Sequence, residues 1–387
     1  MNYRLTRIAC YISYIVGAVV CNFLPLLFVM FNTKYGVSYE ELSLLILINF
    51  VTQLATDVVS IKLFSRVGSR AMVMVSNVLS CIGLILLALL PNVMSSTFLA
   101  LCIAVVVFSV GGGLIEVMIS PIIDRLPQPN SRGYMAFLHS FFCWGQIIVV
   151  LVTTVIIKLA GANSWPYISL MWAVIPFLNT FLLARVPIVD DVPEEKRTPL
   201  KTLFSNKLFI VVVILMFAAG ASELAMSQWA STFAEQGLGL PKMLGDILGP
   251  CAFALFMGVG RVSYPHIADR LGARKTLAAY SALAVVCYLV AALSPNGIVS
   301  VLGCAMCGLG VSALWPGVYS LTSECFKTGG NAMFSTLAMA GDMGCSMGPW
   351  LVGMVAGGSG FKTAILIATA FPLISLIGLL FGQFNKE

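Results

Sequence analysis

The chain has 387 residues, of which 59% are hydrophobic and only 10% are charged. This composition excludes a soluble globular protein, because the surface of such a protein could not be kept polar. The formal net charge of +6 does not indicate nucleic-acid binding, because the basic residues are spread over short loops between apolar segments. We therefore expect an integral membrane protein that resides in the lipid bilayer and binds no nucleic acid.

About twelve apolar segments follow one another, each near the roughly 20 residues that a helix needs to cross a bilayer. Unpaired strand edges are not tolerated in lipid, and the segments lack the alternation of a membrane barrel. The predicted fold is all-α and polytopic, and the first segment is too long to be a cleaved signal peptide. The segments are 8–31, 43–63, 71–90, 97–124, 133–159, 166–186, 207–234, 243–266, 275–293, 298–325, 331–356 and 361–382.

The loop lysines and arginines predict the orientation of the segments. With the N-terminus inside, only Lys34, Lys158, Lys242 and Lys362 of these basic residues fall on the outer side. This asymmetry is what the positive-inside rule requires. We expect both termini in the cytoplasm and the protein in the plasma (inner) membrane.

One sizeable polar stretch, PIVDDVPEEKRTPLKTLFSN at 187–206, divides six predicted helices from six. Its mixed charges and its prolines are typical of a solvated cytoplasmic linker. The sequence thus predicts an N-terminal six-helix bundle at 1–186 and a C-terminal six-helix bundle at 207–387.

The two halves are related to each other in sequence. IKLFSRVGSR at 61–70 follows segment two, and HIADRLGARK at 266–275 follows segment eight. A constant offset further along superposes glycine on glycine and leucine on leucine. These matches favour parallel repeats, the arrangement of a transporter that rocks one half against the other. The matched pairs are Gly68 with Gly272, Gly111 with Gly310, Leu138 with Leu337, and Gly145 with Gly344.

Almost all of the eleven cysteines lie within apolar segments, where a thiol acts as a small hydrophobic group. Cys304 and Cys307 form a CxxC pair, but no second Cys or His pair completes a zinc site. We expect neither a metal nor a cofactor.

The loop after segment eight resembles the cytoplasmic signature of the major facilitator superfamily, in which an acidic residue, an arginine, a glycine and further basic residues follow in order. In the first copy of the loop, Ser65 stands at the position of the acidic residue. The resemblance implies the two-bundle fold of that superfamily and a gating role for Asp269, Arg270 and Arg274. The matching residues are Asp269, Arg270, Gly272, Arg274 and Lys275.

Within that superfamily, GGGLIEVMISPIID, FLHSFFCWGQ and GASELAMSQW are similar to the fucose, galactose and glucose proton symporter family. The similarity places Glu116 where that family carries an acidic proton carrier. His139 and Glu223 fall on positions that its members commonly keep. Where sugar-carrying members can bear an acidic residue in helix one, this chain offers only Asn22.

Carboxylates inside the apolar segments need a functional reason, because a charge in hydrocarbon costs at least about 3 kcal/mol. Glu116, with His139, is the first candidate for proton coupling, and Asp342, near the middle of segment eleven, is the second. The alternative for Glu116 is a structural partner for a basic residue, and for His139 a hydrogen bond within helix packing. Asp124 lies near the inner boundary, where a solvated helix end explains it.

Asp57 and Arg261 occupy matching places in segments two and eight, each eight residues before the matching loop positions Ser65 and Asp269. This symmetry favours gating at the cytoplasmic end. Arg261 could also bring its charge near Glu116 or His139, or form a structural ion pair.

Segment seven brings together an acid, an amide and an indole, at Glu223, Gln228 and Trp229. Sugar hydroxyls need several donors and acceptors, while the C–H face of a sugar packs on an aromatic ring. Trp229 is equally explained as an interfacial tryptophan. The predicted substrate-binding set is Asn22, Glu116, His139, Gln146, Glu223, Gln228, Trp229 and Trp315, the last matched to Glu116 by the repeat.

Motifs of nucleotide hydrolysis, metalloproteases and serine hydrolases are missing, so we expect a protein that is not an enzyme and is driven by a gradient. The sequence predicts a monomeric, proton-coupled secondary transporter of a small polar solute, a sugar or sugar derivative, that works by alternating access. The alternatives are proton-driven efflux of amphipathic compounds and a non-transporting membrane receptor or scaffold.

Overall fold

The computed structural model describes residues 3–126, 131–188, 204–326, 330–382 and 384. All regular structure in these residues is helical, and eleven helices among them are long and apolar enough to cross a membrane. The remaining predicted segment, 331–356, also lies within a helix, Gly330–Ser359. The predicted all-α polytopic fold is confirmed.

The chain forms two units, Met1–Val192 and Pro193–Glu387. Residues 189–203 of the predicted linker lie outside the described residues. The helices of the first unit are α1 (Arg4–Asn22), α2 (Phe28–Tyr35), α3 (Tyr39–Val67), α4 (Ser69–Val93), α5 (Thr97–Arg125), α6 (Ser131–Ala160) and α7 (Trp165–Arg185). Those of the second are α8 (Lys207–Ser227), α9 (Ala230–Thr232), α10 (Lys242–Asp246), α11 (Ala252–Leu271), α12 (Ala273–Leu293), α13 (Gly297–Ser312), α14 (Leu314–Cys325), α15 (Gly330–Ser359), α16 (Phe361–Ala368) and α17 (Ala370–Phe381).

The first segment of each unit is a broken helix. After α1, a 3-10 turn at Leu24–Leu27 carries Pro25, which has no N–H to continue the helix, and α2 follows. After α8, a turn at residues 228 and 229 leads into α9 and then a π-helix at Phe233–Gly237. Hydropathy alone predicts both segments as continuous helices, because an apolar break looks like the helix around it.

Glycines that the repeat pairs have matching packing partners within their own units. A Cβ at Gly111 would clash with Ser76 and Ser80 of α4, and one at Gly310 would clash with Ala284 of α12. Likewise Gly145 faces α1, and its match Gly344 faces α8. The sequence repeat therefore corresponds to a repeated way of packing helices.

In the second unit, α8 and α15 approach along a seam of glycines. A Cβ at Gly348 would lie 2.7 Å from the carbonyl oxygen of Ala221, and one at Gly344 would overlap the carbonyl oxygen of Phe217. On the other side of the seam, a Cβ at Gly220 would lie 3.0 Å from the sulfur of Cys345. Small residues allow this close approach of two membrane helices.

Replacing Gly344 by alanine is expected to lower the free energy of unfolding by about 1–3 kcal/mol, because the added methyl group must push α8 and α15 apart. Gly358→Ala is the matched control on the same helix, since its Cβ would meet nothing within 4 Å. Alanine is the better helix former, so Gly358→Ala should be neutral or stabilising. Thermal unfolding in detergent measures both, and equal midpoints would contradict the close packing.

In each unit an arginine near the start of the third segment hydrogen-bonds to the end of the last helix, a contact called here an arginine clasp. Arg70 follows Gly68 by two residues and donates to the carbonyl oxygen of Ala184 at 2.7 Å. Arg274 follows Gly272 in the same way, and its Nε donates to the carbonyl oxygen of Leu379 at 2.7 Å. Its Nη2 also donates to Leu380 at 2.8 Å. Both arginines satisfy terminal carbonyls that a helix cannot satisfy itself.

Candidate functional site

Helices α1, α3 and α5 come close together around two glycines of the first unit. A Cβ at Gly113 would lie 3.0 Å from the carbonyl oxygen of Gln53, and one at Gly112 would lie 3.2 Å from a methyl group of Val20. Short turns connect α3 through α4 to α5, so α3 and α5 run in the same direction. One helical turn further along each, these helices carry Asp57 and Glu116.

Asp57 and Glu116 are therefore neighbours at one level of the unit, and their carboxylates interact electrostatically. The side chain of Glu116 is accessible, whereas that of Asp57 is half-buried, with Oδ1 fully buried and without a hydrogen bond. Gly111, which packs on α4, precedes Glu116 by five residues, or about 140° around the helix. Glu116 thus projects away from α4, on the side of α5 where α1 and α3 lie.

Buried amide and hydroxyl groups lie on α3 and α5 within about two turns of this pair. Gln53 Nε2 donates to Asn49 Oδ1 at 2.9 Å and to the sulfur of Cys21 at 3.9 Å. Ser109 of α5 donates to the same Asn49 oxygen. The sequence analysis missed these residues, although Asn49, Gln53 and Asp57 recur every four positions, which puts them on one face of α3.

Asn22 is the last residue of α1 before the break. It is buried, and its Nδ2 donates to the carbonyl oxygen of Ala18 at 2.9 Å. The amide is therefore bound to its own helix, while its neighbour in sequence, Cys21, contacts Gln53.

His139 and Gln146 of α6 are seven residues apart, so they share one face of that helix. The opposite face carries the exposed apolar stripe of Phe137, Trp144 and Leu151, which suits lipid. Gln146 is buried, and its Nε2 has no hydrogen bond among the described residues.

The accessible ring of His139 lies edge-on to the ring of Tyr14, with centroids 5.2 Å apart. Helices α1 and α5 are antiparallel, since Gly112 faces Val20 and Gly17 faces Ile115. Tyr14 is therefore about half a turn from the level of Glu116, towards the N-terminus of α1. The structure brings His139 to the same side of the unit as the carboxylate pair.

Glu223 and Arg261 form an ion pair in the second unit. Nη2 of Arg261 lies 3.2 Å from Oε1 and 3.4 Å from Oε2 of Glu223. The side chains are 11% and 25% exposed, so the pair is mostly buried between α8 and α11. The sequence analysis considered an ion pair for Arg261 but assigned Glu223 to the substrate alone, because contacts between helices far apart in sequence leave no local pattern.

Trp229, predicted from sequence as a substrate-binding residue of segment seven, stands at the break after α8, and its surroundings are protein. The side chain is fully buried, its Nε1 donates to the carbonyl oxygen of Pro349 at 2.8 Å, and its ring lies 5.6 Å from that of Phe361. No face of this indole is open to a sugar in this conformation. Gln228, beside it, is also buried.

Trp315 and Asp342 are neighbours in the second unit. The ring of Trp315, on α14, lies against Gly341 so closely that a Cβ there would overlap it. Asp342 follows directly on α15, and both side chains are half-buried. The ring and the carboxylate therefore lie at the same level of α15, on positions about 100° apart around that helix.

The three loop residues predicted to act in gating differ in their surroundings. Asp269 and Arg270 are exposed at the end of α11. Arg274 instead clasps the end of α17, which is a structural role, and its part in gating stays a prediction. The side chain of Asp124 lies outside the described residues.

A charged cluster that the sequence analysis missed joins the end of segment seven to α10. Lys242 Nζ lies 2.9 Å from Asp246 Oδ1, 2.6 Å from Ser231 Oγ and 4.0 Å from Glu235 Oε2. Ser231 also donates to Asp246, which is almost fully buried. The four-residue spacing of Lys242 and Asp246 is the sequence signal for this contact.

Glu235 is expected to make stability depend on pH. Burial raises the pKa of its carboxyl above the ordinary 4.5, Lys242 lowers this pKa, and Asp246 raises it. The folded protein thus holds this proton more tightly than the unfolded chain, so stability falls as pH rises from about 4.5 through the folded pKa. Glu235→Gln should remove this loss, so the melting temperature of the variant should gain on the parent between pH 4.5 and 7.5. A constant difference would contradict the assignment.

Comparison with known proteins agrees with this architecture. The chain is 27% identical over 316 residues to the membrane protein MosC of Rhizobium meliloti, covering 80% of this chain and 74% of that protein. It is 24% identical over 327 residues to an uncharacterized MFS-type transporter of Yersinia pestis, covering 84% and 82%.

Solved transporters share the fold along the whole chain. The D-xylose-proton symporter has a TM-score of 0.81 at 14% identity, over 100% of this chain and 99% of that one. The E. coli fucose:proton symporter FucP has a TM-score of 0.68 at 16% identity, over 100% of both chains. The nucleoside transporter NupG has a TM-score of 0.77 at 14% identity, over 97% and 98%.

The sequence profile of the Major Facilitator Superfamily matches residues 9–333, which is most of the chain. The match agrees with the loop signature around Asp269 and with the repeated packing of the two units. The protein belongs to the Major Facilitator Superfamily, a family of membrane transporters and not of enzymes.

Proposed function

We propose that this protein is a proton-coupled secondary transporter that takes up a small polar solute, a sugar or a sugar derivative. The observation that carries the proposal is Glu116, an accessible carboxylate within a membrane span that has neither an ion pair nor a hydrogen bond among the described residues. A carboxylate at this depth is costly to ionise in a dry site and ionises when water or a cation reaches it, so it can bind a proton in one state of a transporter and release it in another. Glu116 is thus suited to carry a proton, and His139, whose ring packs on Tyr14, is a second titratable group on the same side of the unit.

The class of solute is supported by the polar groups near Glu116 and by the related folds. The amides of Asn49 and Gln53 are buried and bond to each other, and the buried Nε2 of Gln146 has no hydrogen bond among the described residues. In a conformation that opens to the solute, such amides suit a molecule with several hydroxyl groups. Trp315 and Asp342 offer an aromatic surface beside a carboxylate in the second unit. Transporters of fucose, xylose and nucleosides have the same fold, so this architecture accommodates solutes of that size and polarity.

Alternating access is supported by the broken helices at the start of both units. Interrupted helices in matching positions of two repeats are the strongest structural indication of a transporter binding site. One break lies next to Asn22, and the other includes Gln228 and Trp229. We expect both termini in the cytoplasm and a monomeric protein, with the two six-helix bundles moving against each other.

Reconstitution into liposomes tests the proposal. With an inward proton gradient, we expect accumulation of one member of a panel of sugars, sugar acids and nucleosides, and collapse of the gradient should abolish accumulation. The same panel should raise the melting temperature of the purified protein for that one solute, because a ligand of the folded state stabilises it. Stabilisation and transport of amphipathic drugs alone would overturn the proposal in favour of efflux.

A further inference from the structure

We infer that Asp57 and Glu116 form a single proton-binding site, in which two carboxylates share one proton. This inference rests on the proposed function, because it concerns the residue that carries the proton. It goes further in giving Asp57, assigned to gating from sequence, a direct part in proton binding.

The packing of α5 against α1 and α3 brings the two carboxylates together. Gly112 and Gly113 hold α5 against α1 and α3, and Thr56 lies 3.1 Å from where a Cβ of Gly113 would be. Asp57 follows Thr56 directly, and Glu116 follows Gly113 by three residues in the same direction. The contact register of the two parallel helices therefore sets both carboxylates side by side.

The described side chains around the pair include no counter-ion. The titratable groups that face it are the Cys21 thiol of α1 and, about half a turn away, Tyr14 of α1, on which His139 of α6 packs. Helix α4 presents the hydroxyl of Ser80 and the carbonyl oxygen of Ser76 to the opposite side of α5. The amide of Gln53, the nearest strong donor, already donates to Asn49 and Cys21.

Electrostatics then decides the charge of the pair. Two neighbouring carboxylates without a counter-ion cannot both be ionised at low cost, so one proton bound between them is the favoured state. Asp57 Oδ1 is buried and accepts no hydrogen bond, and an unsatisfied buried acceptor costs roughly 1–3 kcal/mol. A protonated Glu116 can donate its O–H to a carboxylate oxygen of Asp57, and the proton leaves the site only when both are hydrated.

Infrared spectroscopy of the purified protein tests the shared proton without any transported solute. We expect a protonated carboxyl band at neutral pH that both Asp57→Asn and Glu116→Gln remove, because in each variant a single carboxylate remains and ionises. Glu40→Gln, which changes an acid at the other end of α3, should leave the band unchanged. If Glu116→Gln removes the band and Asp57→Asn does not, Glu116 acts alone and the inference is wrong.

Once the solute is known, the pH profile of its transport gives a second readout. Asp57→Asn removes the neighbouring charge, so the pH of half-maximal transport should move towards acid by about one unit or more. Asp57→Glu should restore the parent profile. An unchanged profile in Asp57→Asn would overturn the shared site. If no solute is transported, the proposed function fails, but the infrared result still decides whether the proton is shared.

Discussion

Glu116→Gln is expected to abolish pH-driven accumulation of the solute while leaving exchange of the solute across the membrane intact. Glutamine keeps the size and the polarity of the side chain but cannot carry a proton. Without a proton that loads on one side and leaves on the other, the gradient no longer drives the solute, and the accumulation ratio in proteoliposomes should fall to about one. Counterflow of labelled solute, which needs no net proton movement, should continue.

Asp342→Asn is the matched comparison in the second unit, since it removes the other carboxylate that the sequence predicts for proton coupling. We expect this variant to lose affinity for the solute more than it loses proton dependence, because Asp342 directly follows Gly341, on which the ring of Trp315 packs. If Asp342→Asn alone removes the proton dependence, Asp342 is the carrier and Glu116 is a ligand of the solute. Full accumulation in Glu116→Gln would contradict the coupling assignment directly.

The second large effect is expected at the ion pair of Glu223 and Arg261. Glu223→Gln leaves a mostly buried guanidinium without its carboxylate, and such a loss costs 3–5 kcal/mol for a fully buried pair. Because Arg261 is 25% exposed, we expect a smaller loss of about 2 kcal/mol in the free energy of unfolding. The double variant Glu223→Gln with Arg261→Gln should lose less than the sum of the single losses.

Asp269→Asn, at the exposed end of the same helix as Arg261, is the control and should change stability by at most about 0.5 kcal/mol. Solute affinity separates the two roles of Glu223. If the residue only balances Arg261, the double variant recovers both stability and affinity. If it also binds the solute, stability recovers and affinity stays low. Additive losses in the double variant would mean that the contact contributes nothing.

The membrane segments could be predicted from sequence because hydropathy and length depend on consecutive residues. The segment 97–124, for example, corresponds closely to α5, Thr97–Arg125. The breaks at Phe23 and Trp229 could not, because they replace one helical conformation by another within equally apolar sequence. Pro25 was the available signal for the first break, and the second has no proline at its turn.

The site was predictable residue by residue but not as a set of contacts. Glu116 and His139 stood out because charge or titratable nitrogen is rare in an apolar segment. That Asp57 neighbours Glu116 depends on the register of α3 against α5, which the glycines of α5 determine only once the helices are packed. Trp229 was predicted at the substrate from its residue type. In the fold it is buried and hydrogen-bonded to Pro349, and this contact leaves no local pattern because the two residues are 120 positions apart.

The two arginine clasps have a consequence for the origin of this chain. Arg70 ties the start of the third segment to the end of the sixth, and Arg274 repeats the connection among the last six. Neither clasp uses a residue from the other half, so each would have closed a polypeptide of half this length equally well. The contact that closes each half is thus complete within that half, which is what duplication of a polypeptide with six membrane segments would leave behind.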